Sequence, residues 1–318
     1  MAAGQKQQLE VQGRTLAISN AGKVLYPEAG FTKAHVIDYY VRVSDYLLPH
    51  LKNRPVTLKR YPEGVRGGHF YEKDAPRYTP SWVRTFPVPR RMGGTDIRYI
   101  LINDLPTLVW CANLANLEIH PFLHRVPKID TPSAVVFDLD PGEGMGVLDC
   151  ARVAFLLKNV LERLDLRSFP KVSGSKGIQL YVPLNRSARY DATGPFARGL
   201  AQKLAAEHPD LVVAEMAKTV RKRKVFIDWS QNSDFKTTVG VYSLRAKQAQ
   251  PYVSMPVTWD ELRKAERNGG EASLYFTPGT AIERLERTGD LFAEILTLKQ
   301  KLPAASRTAR SPSGPPAG

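Results

Sequence analysis

Ala134-Val135-Val136-Phe137-Asp138-Leu139-Asp140-Pro141-Gly142-Glu143-Gly144 is the stretch that decides the fold. Its first half is β-branched and aromatic, the composition of a buried strand, and Pro141-Gly142 stops that strand just after two carboxylates. Side chains alternate faces along a strand, so Asp138 and Asp140 point one way and Leu139 the other. Two acids side by side at the end of an apolar strand repel each other and lose hydration, and a divalent cation is the usual compensation. Asp-x-Asp beside Pro-Gly also makes an ordinary turn with solvated acids, so the stretch alone leaves both readings open.

The remainder of the chain bears on that choice. Its 318 residues suffice for one large domain or two packed modules, and 45 Lys and Arg against 31 Asp and Glu leave a net charge of +14. Such an excess favours polyanions, nucleic acid above all. Metal-dependent chemistry on phosphates accounts for basic bulk and clustered acids together. Cys111 and Cys150 are the only cysteines, too few for a disulfide framework or a four-cysteine zinc site. No stretch has the length and apolarity of a membrane span, and the polar start does not read as a signal sequence. The expected setting is reducing and cytoplasmic, with no membrane partner.

Residues 1–12 read as a flexible leader and residues 303–318, acid-free and rich in Pro, Ser, Ala and Gly, as a disordered tail. Between them, strands are expected at 15–20, 56–61, 97–103, 169–172, 178–183, 225–229 and 239–244. Helices are expected from Thr32 to Pro49, at 105–117, 148–164 and 195–207, from Thr258, and from about Asp290 to Leu302. The segment 62–80 reads as a loop. Asp228 repeats the motif of a carboxylate ending an apolar strand. Were its strand beside that of Asp138 and Asp140, the three acids could hold two divalent cations for in-line phosphoryl transfer. Ser173-Gly174-Ser175-Lys176-Gly177 offers glycines for close backbone approach, hydroxyls and amides as donors, and a cation, which suits a triphosphate. The same five residues also make a tight hairpin connection. Phe70-Tyr71 lies among Lys and Arg, as a base-stacking pair would, or anchors its loop on the core.

These motifs, in this order and spacing, together with Leu58-Lys59-Arg60-Tyr61-Pro62 and Glu118-Ile119-His120-Pro121, resemble the archaeo-eukaryotic primase superfamily, and more narrowly the polymerase domain of bacterial ligase D. The resemblance runs from about Asn20 to Leu302 and implies a mixed α/β primase-polymerase fold: an N-terminal module at about 13–130, an RRM-like catalytic module at about 131–250, and C-terminal helices to 302. With no ligase or nuclease segment, the chain resembles a stand-alone member. The resemblance further implies that Asp138, Asp140 and Asp228 bind two Mn2+ or Mg2+ ions and that His120, Ser173, Lys176, Gln179 and Arg245 contact an incoming NTP or dNTP. Asn20, Lys23 and Lys33 would receive a downstream 5′-phosphate, and Lys59, Phe70, Tyr71 and Arg221 would meet template DNA. Gapped or broken duplex, Ku and a separate ligase are the implied partners of a monomeric, nucleoid-associated repair polymerase that prefers ribonucleotides. Two positions depart from the family pattern: Gln179 stands where a His is common, and Gln231 where an Arg is common. A glutamine hydrogen-bonds but cannot become cationic.

Overall fold

The computed structural model describes residues 6–303. The expected disorder of the tail concerns residues that, from 304 on, lie outside that range. The expected leader does not hold for residues 6–11: Lys6–Val11 is a strand paired with Arg14–Ser19, Leu9 opposite Leu16. Gln12 and Gly13 both take positive φ, the geometry of a two-residue hairpin turn, and Val11, Leu16 and Ile18 are buried.

Two sheets organise the molecule. The larger has six strands in the order Val212–Val213, Val225–Asp228, Ala134–Pro141, Ile178–Pro183, Phe169–Val172 and Met255–Pro256. Its first two strands run parallel and every other neighbouring pair antiparallel. Alternation sends Val135, Phe137, Leu139, Ile178, Leu180, Val182, Val225 and Ile227 to one face, all fully buried. Helices Val147–Arg163 and Tyr190–Glu207 cover that face. Each such aliphatic side chain contributes roughly 1.5–3 kcal/mol of transfer free energy, which fixes the outlook of the opposite, polar face.

The smaller sheet is built on Pro55–Arg60, flanked on one side by Asn116–Pro121 and on the other by Phe70–Glu72 and Ile97–Leu101; Thr85–Val88 adds to the outer edge. Phe70–Glu72 is thus a short strand inside the stretch expected to be loop. Thr32 caps helix Lys33–Arg42 in a capping box with His35, and the chain breaks at Val43 before a second helix, Ser44–Leu51, which carries Pro49 inside it. The single helix expected up to Pro49 is therefore two.

Four other expectations shift. Helix Leu105–Asn113 ends early because Asn116 already begins a strand. Helix Tyr190–Glu207 starts five residues ahead of the expected Pro195. Residues 239–243 form no strand, since their backbone groups bond individually across the interior, as Gly240 N to Ile119 O at 2.8 Å and Tyr242 N to Ser254 O at 2.7 Å; only Leu244–Arg245 pairs, with Tyr252–Val253. The last α-helix is Pro278–Thr288, ended by Gly289 at positive φ, so the helix expected from Asp290 is replaced by a short 3-10 turn, Ala293–Leu296. Asp290 instead pins the C-terminal segment to the body, 2.5 Å from the Tyr242 hydroxyl and 2.8 Å from His50 Nε2. The helix after Thr258, Trp259–Asn268, carries the expected capping box with Glu261.

Candidate active site

The register of the larger sheet puts Lys171, Gln179, Asp138 and Asp228 in a single row, each directly opposite the next on adjacent antiparallel strands. Opposed residues share a face, so all four side chains stand on the side away from the helices. Asp140 joins them two residues past Asp138. Asp138 and Asp140 open into a cleft of about 750 Å³ that lies between the two sheets. Gly142 closes the strand end: its amide donates to Lys224 O at 2.8 Å, and a Cβ there would fall 1.8 Å from Arg221 O. No other residue fits so close to the basic segment 218–224.

The electrostatics of the three acids are unresolved by the protein itself. Burial, followed by the charge of Asp140, pushes the Asp138 carboxyl up to about 7. Burial and then Asp228 raise Asp140 as well. Among the described residues the ion pairs of Lys, Arg and His go to other acids and include none of these three. Asp138 Oδ2 accepts from Gln179 Nε2 at 3.0 Å. Asp228 is turned into its own connection: Oδ1 accepts from the Ser230 amide at 2.9 Å and hydroxyl at 2.5 Å, and Oδ2 from Gln231 Nε2 at 3.0 Å. Among the described residues no three His, Cys, Asp or Glu side chains form a finished metal shell. The expected triad is adjacent in backbone, with one member engaged elsewhere. Three oxygen-donor acids lacking a counter-ion are nonetheless the donor set a hard divalent cation takes.

Beside them, the loop after Phe169–Val172 is a tight turn braced by Ser173, whose Oγ accepts from the amides of Ser175 at 3.3 Å and Gly177 at 3.2 Å. Gly174 sits at φ +69°, and a Cβ on it would lie 2.7 Å from Arg245 Cγ. The loop therefore rests directly on Arg245, and Ser173, Ser175, Lys176 and Gly177 line the cleft.

The facing side comes from the smaller sheet, where Tyr71, Lys59 and Glu118 form a second row and Thr57 pairs with His120. Glu118 is fully buried and collects donors: the cations Arg245 Nη1 at 2.6 Å and Lys59 Nζ at 3.6 Å, His120 Nε2 at 2.9 Å and the Ala246 amide at 3.1 Å. Burial opposes its ionisation, yet the His120 hydrogen bond and the Arg245 and Lys59 charges outweigh it and hold the carboxyl well below the usual range. Burial lowers His120 despite the pull of Glu118. The neutral ring then carries its proton on Nε2, donated to Glu118, and keeps a lone pair on Nδ1.

Of the residues proposed from sequence, Asp138, Asp140, His120, Ser173, Lys176, Gln179, Arg221, Arg245 and Tyr71 meet in the cleft. Arg221 stacks on Phe226 at 3.6 Å and donates to Met216 O. Phe70 and Tyr71 are 44% and 52% exposed, available for stacking rather than locked on the core. Lys59, expected at the template, is 1% exposed, with its ammonium between Glu118 and the rings of Tyr61 and Tyr71. Asn20, Lys23 and Lys33 do not line the cleft; they lie together at the start of helix Lys33–Arg42, through Lys23 N to Asn20 O at 3.0 Å and Lys33 N to Lys23 O at 2.9 Å. Lys23 pairs with Glu63 at 2.9 Å, while Lys33 is buried and donates to Ser19 O at 2.6 Å. Sequence reasoning overlooked Glu118, Lys171 and Thr238, and the cleft residues Lys73, Phe235, Lys236 and Lys247. A carboxylate and a histidine two apart in an otherwise apolar strand was the available signal for Glu118.

An acidic sheet facing a basic, aromatic one across a cleft defines the class in structural terms, an α/β protein with a charged cleft between two sheets. Comparison with known proteins narrows it. The chain matches the LigD primase-polymerase domain family over residues 32–292 and belongs to that family. It is 40% identical to the multifunctional non-homologous end joining protein LigD of Mycolicibacterium smegmatis over 87% of its own length and 36% of that protein's. With the bifunctional LigD of Bacillus subtilis it shares 33% identity over 92% of its length and 46% of the relative's. It thus spans less than half of these curated relatives. Among solved structures it resembles the polymerase domain of Mycobacterium tuberculosis ligase D in complex with DNA, at 37% identity and a TM-score of 0.82, covering 88% of this chain and 98% of that one. Among the described residues no helix is long and apolar enough to cross a membrane.

Proposed function

We propose that this chain is a template-directed, divalent-metal-dependent nucleotidyltransferase that fills short gaps or processes ends in end-joining DNA repair. The observation that carries this reading is the pairing of uncompensated Asp138 and Asp140 with Lys176, Arg245 and His120 around a single cleft. Asp138 and Asp140, with Asp228 once it exchanges its turn bonds, would hold two Mn2+ or Mg2+ ions. When bound, such ions lower the pKa of an attacking hydroxyl and neutralise triphosphate charge. The remaining work falls to the chain. Lys176 and Arg245 bind phosphate oxygens, the Ser173 hydroxyl retains a proton to donate, and Arg245 is held for this by Glu118. Tyr71 and Phe70 supply stacking faces for unpaired template bases. Asn20, Lys23 and Lys33 form the anchor for a downstream 5′-phosphate, with Lys23 released from its exposed Glu63 partner. A ribonucleotide preference and cooperation of a monomer with Ku and a separate ligase complete the proposal.

The test is primer extension on a gapped, 5′-phosphorylated duplex with Mn2+ or Mg2+ and paired ribo- and deoxyribonucleotides. Expected is templated addition, faster with ribonucleotides, reduced at least about 10³-fold in Asp138→Ala. No addition by the wild type, or undiminished addition by the variant, defeats the reading. Salt-sensitive DNA binding without addition would instead mark a DNA-end binding module, a result Gln179 and Gln231 make worth measuring.

A further inference from the structure

Lys171 is fully buried in the sheet and takes part in none of the roles above. Its Nζ lies 2.7 Å from Gln179 Oε1, 2.5 Å from Ser254 Oγ and 3.2 Å from Val239 O. Ser254 Oγ donates onward to Val172 O at 3.3 Å, so it accepts from the lysine, as the other two must. Three acceptors around one nitrogen suit the three protons of an ammonium, a form that burial opposes and the charge of Asp138 favours, so that the lysine is pushed down to about 7.

The arrangement gives both ends of a glutamine a partner. The two ends of an amide are interchangeable in shape, and its orientation follows from its partners. Oε1 faces Lys171, which donates to it, and the NH2 is turned to Asp138 Oδ2 at 3.0 Å and Thr238 Oγ1 at 2.7 Å. A flipped amide would set NH2 against ammonium and carbonyl oxygen against carboxylate. Asp138 is thereby held through one oxygen, and among the described residues no protein donor engages the other.

We infer that Lys171 is a positioning residue for divalent-cation binding: acting through Gln179, it fixes the orientation of Asp138 and keeps one carboxylate oxygen available to a cation. This rests on the metal-dependent reading of the cleft. It gives Gln179 a function that charge is not needed for, and it runs along the register row Lys171, Gln179, Asp138.

Binding of Mn2+ alone, followed by the electron paramagnetic resonance signal of free Mn2+ without DNA or nucleotide, separates the two ideas. The wild type is expected to bind, and Lys171→Met to bind about 10–100-fold more weakly, the usual cost of losing an outer partner of a metal ligand. Gln179→Met should lose the same amount, and the double variant no more than either single one, because all three break one chain of contacts. Lys171→Arg, which keeps a cationic donor, should recover part of the affinity. Failure of the wild type to bind Mn2+ overturns the metal reading itself. Wild-type binding with unchanged affinity in Lys171→Met, or additive losses in the double variant, overturns the positioning role alone. Should Lys171→Met not fold, Gln179→Met carries the test, and unchanged affinity there refutes the inference equally. A side chain that merely stabilises the sheet would lower the melting temperature and leave Mn2+ affinity where it was.

Discussion

Glu118 and Asp138 are carboxylates on strands of two sheets that face one cleft, and the protein treats them in opposite ways. Glu118 is surrounded by Arg245, His120 and Lys59 and is held ionised. Asp138 has acids for neighbours, a neutral amide as its hydrogen-bond donor, and a carboxyl raised to about 7. One site has its counter-charge built in, and the other is left short of positive charge. A built-in counter-charge makes scaffold; a shortfall makes a place for an exchangeable one.

The largest expected effect tests the scaffold half. Glu118→Gln strands buried cations, at a cost of about 3–5 kcal/mol in urea unfolding; a loss below about 1 kcal/mol would make the cluster a bystander. Its pH dependence has a definite sign: a depressed acid contributes stability above its unfolded value, roughly 4.3, that is lost as pH falls through the lower folded value. Asp138→Asn should do the reverse. The folded acid near 7 sits above an unfolded value of roughly 3.9, so ionised Asp138 costs stability progressively between those pH values and fully above them. In chelator, the Asn variant should be about 1–3 kcal/mol more stable than wild type at pH 8, with the gain vanishing near pH 4, while nucleotide addition is lost. Equal stability at pH 8 would mean that the acids are not mutually strained.

Adding Mn2+ sharpens the contrast further. At about 100 times its dissociation constant a ligand of the native state adds about 2.7 kcal/mol. That gain should be larger at pH 8 than at pH 6, where protons compete for Asp138, and absent in Asp138→Asn; calorimetric melting reads it directly. The exposed aromatics bear on binding alone. Tyr71→Ala and Phe70→Ala should each weaken binding to gapped DNA by about 1–3 kcal/mol with little change in melting temperature, as measured by fluorescence anisotropy.

Much of this was readable in the chain. Apolar strand, paired acids and Pro-Gly located the floor of the cleft, and Ser173–Gly177 located its phosphate-sized loop, because local composition dictates both. Register was not readable: nothing in the sequence says that Asp138 lies opposite Asp228 or that Lys171 lies opposite Gln179. The surroundings of Lys59 were not readable for the same reason, since register alone sets Glu118 across from it. The hairpin Lys6–Ser19 was legible in Leu9 and Val11 flanking Gln12-Gly13, but polar neighbours masked the alternation. The C-terminal end went wrong because Asp290 serves Tyr242 and His50 rather than starting a helix.

The four-residue row has a consequence for how the chain reaches its native state. A strand displaced by a single residue turns every side chain over. Mispairing of Ala134–Pro141 would thrust Asp138 and Asp140 under the two covering helices, without water or partner, and bring Phe137 and Leu139 into the open cleft. The polar groups gathered for chemistry thus also penalise the wrong assembly, and a variant that made this face apolar would fold with less discrimination between neighbouring alignments.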